Sequence, residues 1–361
     1  MLTRSDILRR RLAGLQLMAP TLDDPAAVVA TLGAVQAQDY AGAKWAVGQR
    51  TRGATDATVE RAVGDGSILR THVLRPTWHF VAPADIRWML ALTAPRVRAA
   101  SASRWRELGL DDAVFRRSRS VFTKALRGGQ QRTRTELGSA LERAGIDLAA
   151  EPQRLPHLLM RAELDGLIVS GARRGKQSTY ALLEERVPPA EPMERDAALC
   201  ELATRYFATR GPATLQDFAW WSGLTVADAR RGVEAAGSAL SREEWEGRPH
   251  WFAGKAARWT RGGGHLLPNY DEYVVAYRDR SAIMTEVQGQ SVDARGNLLF
   301  SHLVVAGGRV LGVWRRLPRA RAAFVELTML TPTGGPEPEA IREAARKYAA
   351  FLELPLEVAE V

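Results

Sequence analysis

The amino-acid sequence predicts an α+β protein, mostly helical, with three tandem winged helix-turn-helix modules and a β-rich C-terminal region. Helical spacing of apolar residues followed by short strands occurs three times along the chain. The pattern then changes to strands after Gly262. Tandem modules of this kind favour a single concave, C-shaped clamp. The predicted domains are residues 1–110, 111–190, 191–258 and 259–361.

The second module is the clearest of the three. Thr133 followed by Glu136 is a capping box, which predicts the first turn of a helix. A basic, glycine-containing turn at residues 171–177 predicts the tip of a β-hairpin, or wing. The elements expected in this module are two helices and then two strands, at residues 136–144, 155–164, 167–170 and 178–182.

The first and third modules show the same order without obvious sequence repetition. The first is expected to contain three helices and two strands, at residues 4–12, 25–35, 58–63, 69–73 and 77–81. The third, within residues 194–252, is expected to contain three helices and one strand, at residues 200–208, 214–221, 225–236 and 251–252. The proline-rich segment 184–193 breaks both helix and strand and predicts a domain boundary. The C-terminal region is expected to have glycine-containing turns at 294–297 and 306–308, and a final helix at 337–353.

Composition excludes several classes of protein. The 361 residues are 46% hydrophobic and 25% charged, which is ordinary globular composition and excludes disordered and collagen-like chains. The sequence has no apolar run long enough for a membrane helix and no signal-peptide pattern, so a cytoplasmic, nucleoid-associated protein is expected. A single cysteine, Cys200, allows neither an internal disulfide nor a zinc site built on cysteines.

The positive charge of the chain is unevenly distributed. The formal net charge is +9, and residues 1–190 contain 29 basic and 19 acidic side chains, whereas residues 191–361 contain 21 and 22. The arginine bias alone could follow from genome composition. The uneven distribution instead predicts a surface in the first half of the chain that faces a polyanion.

Four segments stand out, in this order: Gln36-Ala-Gln38, Arg75-Pro-Thr-Trp-His-Phe-Val81, Leu266-Leu-Pro-Asn-Tyr-Asp-Glu-Tyr273 and Tyr277-Arg-Asp-Arg280. Together they resemble the AlkZ/YcaQ superfamily of tandem winged-helix DNA glycosylases. The glutamine at the third position of the first segment is similar to the AlkZ branch, since the YcaQ branch has aspartate there. The resemblance extends over essentially the whole chain. It implies a glycosylase that releases N7-alkylated purines, including bulky adducts and interstrand crosslinks of the azinomycin type, in DNA repair or antibiotic self-resistance.

The chemistry of such a lesion agrees with two glutamines as catalytic residues. A purine alkylated at N7 is cationic and leaves readily, so the enzyme has to position water and stabilise an oxocarbenium-like sugar. An amide oxygen can accept a hydrogen bond from that water, while the amide nitrogen fixes the side chain. Gln36 and Gln38 face the same way only on an extended backbone. The alternative interpretation of this segment is a helix C-terminus with exposed polar groups.

The expected product is an abasic site without strand cleavage. A lyase needs an amine nucleophile, and Lys44 is the only lysine before residue 124. The enzyme is therefore expected to be monofunctional. No metal or cofactor is expected, because the histidines show no close ligand spacing and the glycines form no nucleotide-binding loop.

Other polar residues are candidates for DNA contact or for support of the site. The basic side chains expected at DNA are Lys44, Arg70, Arg75, Arg173, Arg174 and Lys176. For the wing residues among them, the alternative is a solvated hairpin tip. Expected neighbours of the active site are Asp39, Trp78 and His79, although Asp39 should point elsewhere and a strand Trp or His is often core. A buried ion-pair network supporting the cleft is expected from Asp271, Glu272, Tyr273, Asp279 and Arg280.

A DNA-binding protein without catalysis is the competing class. Winged helices commonly serve transcription regulators, which often pair one DNA-reading domain with a dimerisation or ligand domain. Three modules in one chain instead favour a clamp that binds double-stranded DNA as a monomer.

Overall fold

The structure, a computed structural model, describes residues 1–254, 263–284, 301–318 and 321–360. Helices predominate, and the three winged-helix modules and the β-rich C-terminal region follow each other in the expected order. Within these ranges, every helix is too short or too polar to cross a membrane. The turn expected at residues 294–297 lies outside the described residues.

The first module combines four helices with a three-stranded sheet. Its elements are α1 (Arg4–Gly14), α2 (Pro25–Leu32), β1 (Ala34–Gln36), α3 (Tyr40–Gly48), α4 (Asp56–Asp65), β2 (Leu69–His72) and β3 (Trp78–Val81). The sheet is antiparallel with the order β1-β3-β2, so β3 is its central strand. Threonine capping boxes begin α1 and α4, at Thr3 and Thr55.

Helix α2 is shorter than the sequence predicts. A helix was expected over residues 25–35, but it ends at Leu32, and Gly33 has a φ of 76° that reverses the chain. The chain then continues as β1. Because both sides of this junction are buried and apolar, periodicity cannot separate the end of the helix from the strand.

Apart from helices of a single turn, three helices within the described residues are not predicted from the sequence: α3 and the two long helices α5 (Pro83–Glu107) and α6 (Asp112–Leu126). Helix α3 is buried on nearly all sides, so its sequence shows no polar face. Helix α5 contains Pro95 in its interior, where proline usually ends a helix. The sequence therefore gives no helix signal at α3, where burial removes the polar face, and a misleading break in α5, where the proline lies inside the helix.

The second module confirms the predicted helices and wing. Its elements are β4 (Arg132–Thr133), α7 (Arg134–Arg143), α8 (Arg154–Leu164), β5 (Ile168–Ser170), β6 (Thr179–Leu182) and the short α9 (Leu183–Arg186). The capping box is present, since the Glu136 carboxylate accepts from the Thr133 amide at 2.7 Å. The expectation that segment 184–193 contains no helix is wrong for its first residues, which belong to α9.

The third module has three helices and a two-stranded wing. Its elements are α10 (Arg195–Arg210), α11 (Leu215–Ser222), α12 (Val226–Ala236), β7 (Ser241–Trp245) and β8 (Arg248–Phe252). The strand expected at residues 251–252 is the end of β8, which pairs with β7 in an antiparallel hairpin.

The C-terminal region is built on a five-stranded sheet of order β13-β12-β11-β10-β9, in which only the β12–β13 pair is parallel among the described strands. Its elements are β9 (Gly264–Leu267), α13 (Glu272–Val275), α14 (Ser281–Met284), β10 (Leu303–Ala306), β11 (Arg309–Pro318), β12 (Ala323–Met329), α15 (Glu337–Phe351) and β13 (Leu356–Glu360). The final helix and the turn at 306–308 are confirmed, although the helix ends two residues earlier than expected.

The first module packs against the C-terminal region. The Trp45 ring of α3 lies 5.0 Å from the Tyr348 ring and 5.2 Å from the Phe351 ring, both on α15. The Trp45 indole also donates to the Leu266 carbonyl oxygen at 2.6 Å. A second apolar core joins the β-sheet of the first module to the other two modules. The division of the chain at residues 110, 190 and 258 stays a prediction.

Buried histidine makes stability depend on pH. Burial, with help from Lys347 and Arg50, lowers the pKa of His265 on β9 from 6.5 to about 4. Below pH 6.5 His265 therefore becomes protonated in the unfolded chain, whereas in the folded chain it stays neutral down to about pH 4. We expect the free energy of unfolding to fall by about 1.4 kcal/mol per pH unit from this group between pH 6.5 and 4.

Urea unfolding at pH 7, 6 and 5 measures this loss. The variant His265→Gln should show a smaller dependence on pH than the wild type, because its side chain does not titrate in this range. Equal pH slopes for the two proteins would contradict the assignment to His265.

Candidate active site

The segment from Gln36 to Gln38 leaves helix α2 in an extended conformation. Gln36 ends β1 and lies opposite His79 of β3, and the Ala37 amide donates to the Trp78 carbonyl oxygen at 2.7 Å. The backbone is thus strand-like, as the spacing of the two glutamines requires. The alternative interpretation as a helix C-terminus is wrong, because α2 ends before β1 begins.

The two glutamine side chains differ in exposure and in partners. Gln36 is 7% exposed, and its amide oxygen accepts a hydrogen bond from Nη2 of Arg75 at 2.8 Å. Gln38 is exposed, and its amide oxygen lies 3.4 Å from the backbone nitrogen of Trp78. That contact is long, so the Gln38 oxygen keeps the capacity to accept from water. The first glutamine is fixed and the second faces solvent.

A buried ion pair fixes strand β1. Arg210 and Glu272 are both 0% exposed and are joined by an Nη2–Oε2 contact of 2.7 Å. Glu272 Oε1 accepts from the Gln36 backbone amide at 2.8 Å. Arg210 donates to the carbonyl oxygens of Leu32 and Ala34, each at 2.8 Å. The pair therefore holds the backbone on both sides of the turn that delivers Gln36.

A second buried pair supports the start of α13. Arg50 contacts both carboxylate oxygens of Asp271, at 2.7 and 2.8 Å, and both side chains are 0% exposed. The Tyr273 hydroxyl donates to the Gly308 carbonyl oxygen at 2.7 Å. Asp271 and Glu272 thus form buried ion pairs as expected. Their partners are Arg50 of the first module and Arg210 of the third, rather than residues of the segment 271–280.

The remaining members of the expected network lie nearer the surface. Asp279 pairs with Arg248 of the third module at 2.6 Å, and both side chains are partly exposed. Arg280 donates from Nε to the Val274 carbonyl oxygen at 3.1 Å and forms no ion pair with a described acid. The five predicted residues therefore form no ion pairs with each other among the described contacts. Asp271, Glu272 and Asp279 pair instead with Arg50, Arg210 and Arg248.

His79 is a neutral, buried neighbour of Gln36. Its Nδ1 donates to the Thr77 carbonyl oxygen at 3.0 Å, so the neutral ring has an acceptor at Nε2. That nitrogen is buried and has no hydrogen-bond partner among the described residues. Burial first, and then the Arg75 charge, hold the His79 pKa well below 6.5. The ring is thus uncharged at neutral pH.

Arg70 supports the backbone between the two glutamines. Its Nε donates to the Ala37 carbonyl oxygen at 3.0 Å, and its guanidinium lies 4.4 Å from the centre of the half-buried Trp78 ring. Burial lowers the Arg70 pKa. Arg70, proposed from sequence as a DNA contact, thus holds Ala37 and Trp78 in place.

Lys44 and Asp39 also have protein partners. Lys44 is 5% exposed, and its ammonium contacts Asp56 at 2.7 Å and Glu60 at 2.8 Å. The Asp39 carboxylate accepts from the Gly42 amide at 3.0 Å and caps helix α3. Lys44 is therefore poorly placed either to contact phosphate or to act as a nucleophile.

The wing of the second module has less free charge than its sequence indicates. Arg174 forms an ion pair with Glu136, and its Nη1 lies 3.2 Å from the other carboxylate oxygen. Arg173 folds back so that its guanidinium lies 4.5 Å from the Tyr40 ring centre. Lys176 is exposed and forms no ion pair within the described ranges. Whether these residues contact DNA stays a prediction.

Several supporting residues were not identified from sequence. Arg50 and Arg210 give no local signal, because their carboxylate partners are 221 and 62 residues away in the chain. Of these supporting residues, only the adjacent pair Trp220 and Trp221 stands out in the sequence. The Trp221 indole donates to Glu272 at 2.9 Å, and Trp220 remains 40% exposed.

Tandem winged helices that hold an extended glutamine segment at a supported strand define a DNA-binding class of protein with a candidate active site. A family model described as DNA glycosylase AlkZ-like matches residues 29–351. The chain therefore belongs to the AlkZ-like DNA glycosylase family, and it is a DNA glycosylase.

Two relatives illustrate the match, both from Streptomyces sahachiroi. An interstrand DNA cross-link repair glycosylase is 27% identical over 304 residues, which cover 80% of this chain and 81% of the relative. The solved structure of the DNA glycosylase AlkZ superposes with a TM-score of 0.80 at 23% identity, covering 99% of this chain and 100% of that one. The second comparison supports the fold.

Proposed function

We propose that this enzyme is a monofunctional glycosylase that hydrolyses the N-glycosidic bond of N7-alkylated purines, including bulky adducts and interstrand crosslinks. The observation that carries the proposal is the extended glutamine segment fixed by the buried Arg210–Glu272 pair. The relative named as a cross-link repair glycosylase supports the crosslink as a substrate class. Repair of alkylated DNA and self-resistance to an alkylating antibiotic would both use this activity.

In this mechanism the two glutamines have separate roles. The exposed Gln38 oxygen accepts from the attacking water and directs its lone pair toward C1′ of the lesion nucleotide. The Gln36 oxygen accepts from Arg75 with one lone pair, and its second lone pair is assigned to the developing oxocarbenium. We assign the water to Gln38 because the Gln36 oxygen already accepts from a cationic donor.

Little acid catalysis is required, since the cationic purine is a good leaving group. The protonation state of His79 fits a mechanism without an acid catalyst, because its lowered pKa keeps the ring neutral and leaves Nε2 without a proton to donate. Lys44 is held by Asp56 and Glu60, which supports hydrolysis over Schiff-base chemistry. The expected partner is lesion-bearing duplex DNA, bound by a monomeric clamp whose open cleft does not require full rotation of a crosslinked base.

Two duplexes test the proposal, one with a single N7-methylguanine and one with an azinomycin-type crosslink. We expect release of the modified base and unhooking of the crosslink, with an abasic strand that stays intact until it is heated in alkali. Borohydride should trap no covalent protein–DNA complex. A trapped complex would show lyase chemistry. Unchanged lesions together with tight binding to one DNA sequence would show a regulator.

A further inference from the structure

An open groove of about 880 Å³ lies on the third module, between helices α11 and α12, the β7–β8 hairpin and the segment after α13. We call it the third-module groove. Its cationic lining residues are Arg230, Arg242, Arg248, Arg278 and Arg280. The charge distribution along the sequence gives no indication of it, because residues 191–361 are close to neutral in total.

Three of these arginines are available to a ligand. Arg230, Arg242 and Arg278 are exposed and form no ion pair with a described residue. Arg248 differs, since it pairs with Asp279 at 2.6 Å. Arg280 also differs, because it is half-buried and its Nε donates to the Val274 carbonyl oxygen at 3.1 Å. Unpaired guanidinium groups around a concave surface are the arrangement that binds phosphate oxygens.

The acidic residues of the groove do not cancel this charge. Asp217 is 1% exposed, and its Oδ1 accepts from the backbone amides of Arg278 and Asp279 at 2.9 and 3.1 Å. Asp279 is paired with Arg248. Glu234 is thus the remaining acid that faces the three unpaired arginines.

The groove reaches the candidate active site through Trp220. The guanidinium groups of Arg280, which lines the groove, and of Arg75 each lie 5.7 Å from the centre of the Trp220 ring. Trp220 is held in place because its indole donates to the Val275 carbonyl oxygen at 3.0 Å. Arg75 in turn contacts Gln36. A strand leaving the site can therefore pass from Gln36 over Trp220 into the groove.

We propose that the third-module groove binds the phosphodiester backbone of the duplex arm that flanks the lesion. This inference rests on the proposed function, since it names where the substrate's backbone lies beyond the active site. It also moves the main backbone contact away from the wing of the second module, where Arg173 and Arg174 have protein partners.

The test is the salt dependence of binding to an undamaged duplex of about 30 base pairs, compared between the wild type and the triple variant Arg230→Ala/Arg242→Ala/Arg278→Ala. Each lost phosphate contact should reduce the slope of log K against log salt by about 0.9. We expect a reduction of about 2 to 3 and at least about tenfold weaker binding at low salt. Because the DNA is undamaged, this result does not depend on excision.

A matched control carries the same loss of charge on the exposed face of α6, as Arg116→Ala/Arg117→Ala/Arg119→Ala. Its slope should stay at the wild-type value. An unchanged slope in the groove variant, or an equal decrease in both triples, overturns the inference. If the groove triple does not fold, the double variant Arg230→Gln/Arg278→Gln gives the same test with an expected change of about 1 to 2.

Discussion

Replacing Gln38 with alanine is expected to slow base excision about 100-fold, which corresponds to about 2.7 kcal/mol of transition-state stabilisation. The reason is that the Gln38 amide oxygen is the exposed acceptor beside the strand, whereas the neighbouring Gln36 oxygen is already bonded to Arg75. Without Gln38, water still reaches the lesion but is not oriented toward C1′. Affinity for the lesion duplex should change little, so the effect should appear in the single-turnover rate.

A stability measurement separates this effect from unfolding. Gln38 is exposed and its contact with the Trp78 amide is long, so the variant should unfold at the wild-type urea concentration. The matched control Gln130→Ala removes another exposed glutamine, in the second module, and should excise at the wild-type rate. If Gln38→Ala excised at full rate, the activity would stand but the assignment of the water to Gln38 would be wrong.

Replacing Glu272 with alanine is expected to lower the free energy of unfolding by about 3 to 5 kcal/mol. The substitution leaves the Arg210 guanidinium buried without its counter-charge. It also removes the acceptor of the Gln36 amide and of the Trp221 indole. The strand that ends at Gln36 then loses its support, so the excision rate should fall even where the variant is still folded.

Urea unfolding and excision assays on three variants test this second expectation. Glu272→Gln keeps oxygen and nitrogen atoms near Gln36 and should retain more stability than Glu272→Ala. Asp196→Ala breaks the exposed pair with Arg231 and should have a far smaller effect, because exposed ion pairs contribute little. A Glu272→Ala protein as stable and as active as the wild type would show that the buried pair does not support the site.

Local sequence signals predicted the parts of the fold that depend on local interactions. The capping box at Thr133 and the basic turn after Ser170 specify a helix start and a hairpin through neighbouring residues, and both are present. Helix α3 and the junction at Gly33 were not predicted, because both are buried within apolar sequence. In these segments packing in the core determines whether the chain forms a helix or a strand. The sequence has no polar face there from which the choice could be predicted.

In the candidate site too, features with a local sequence signal were predicted and features that depend on distant contacts were not. The spacing of Gln36 and Gln38 predicted an extended segment, and the structure confirms it. The supporting ion pairs could be predicted only in part, since Asp271 and Glu272 stand out in sequence while Arg50 and Arg210 do not differ from other arginines. Their roles come from contacts across modules, at distances along the chain that no local pattern encodes.

The charge distribution illustrates a further limit of sequence. Residues 1–190 contain the excess of positive charge, yet Lys44 and Arg174 are paired with acids. The near-neutral second half presents three unpaired arginines around one groove. Net charge counts residues, whereas DNA binding depends on which cations both lack a protein partner and lie where the duplex passes.

Catalysis by the two glutamines is tested most directly by single-turnover release of N7-methylguanine from a duplex, by the wild type and by the double variant Gln36→Ala/Gln38→Ala. The wild type is expected to release the free base and to leave an abasic strand. The double variant should bind the same duplex but release base no faster than the uncatalysed reaction. Release by the double variant at the wild-type rate, or an intact lesion after incubation with the wild type, would contradict catalysis by the two glutamines.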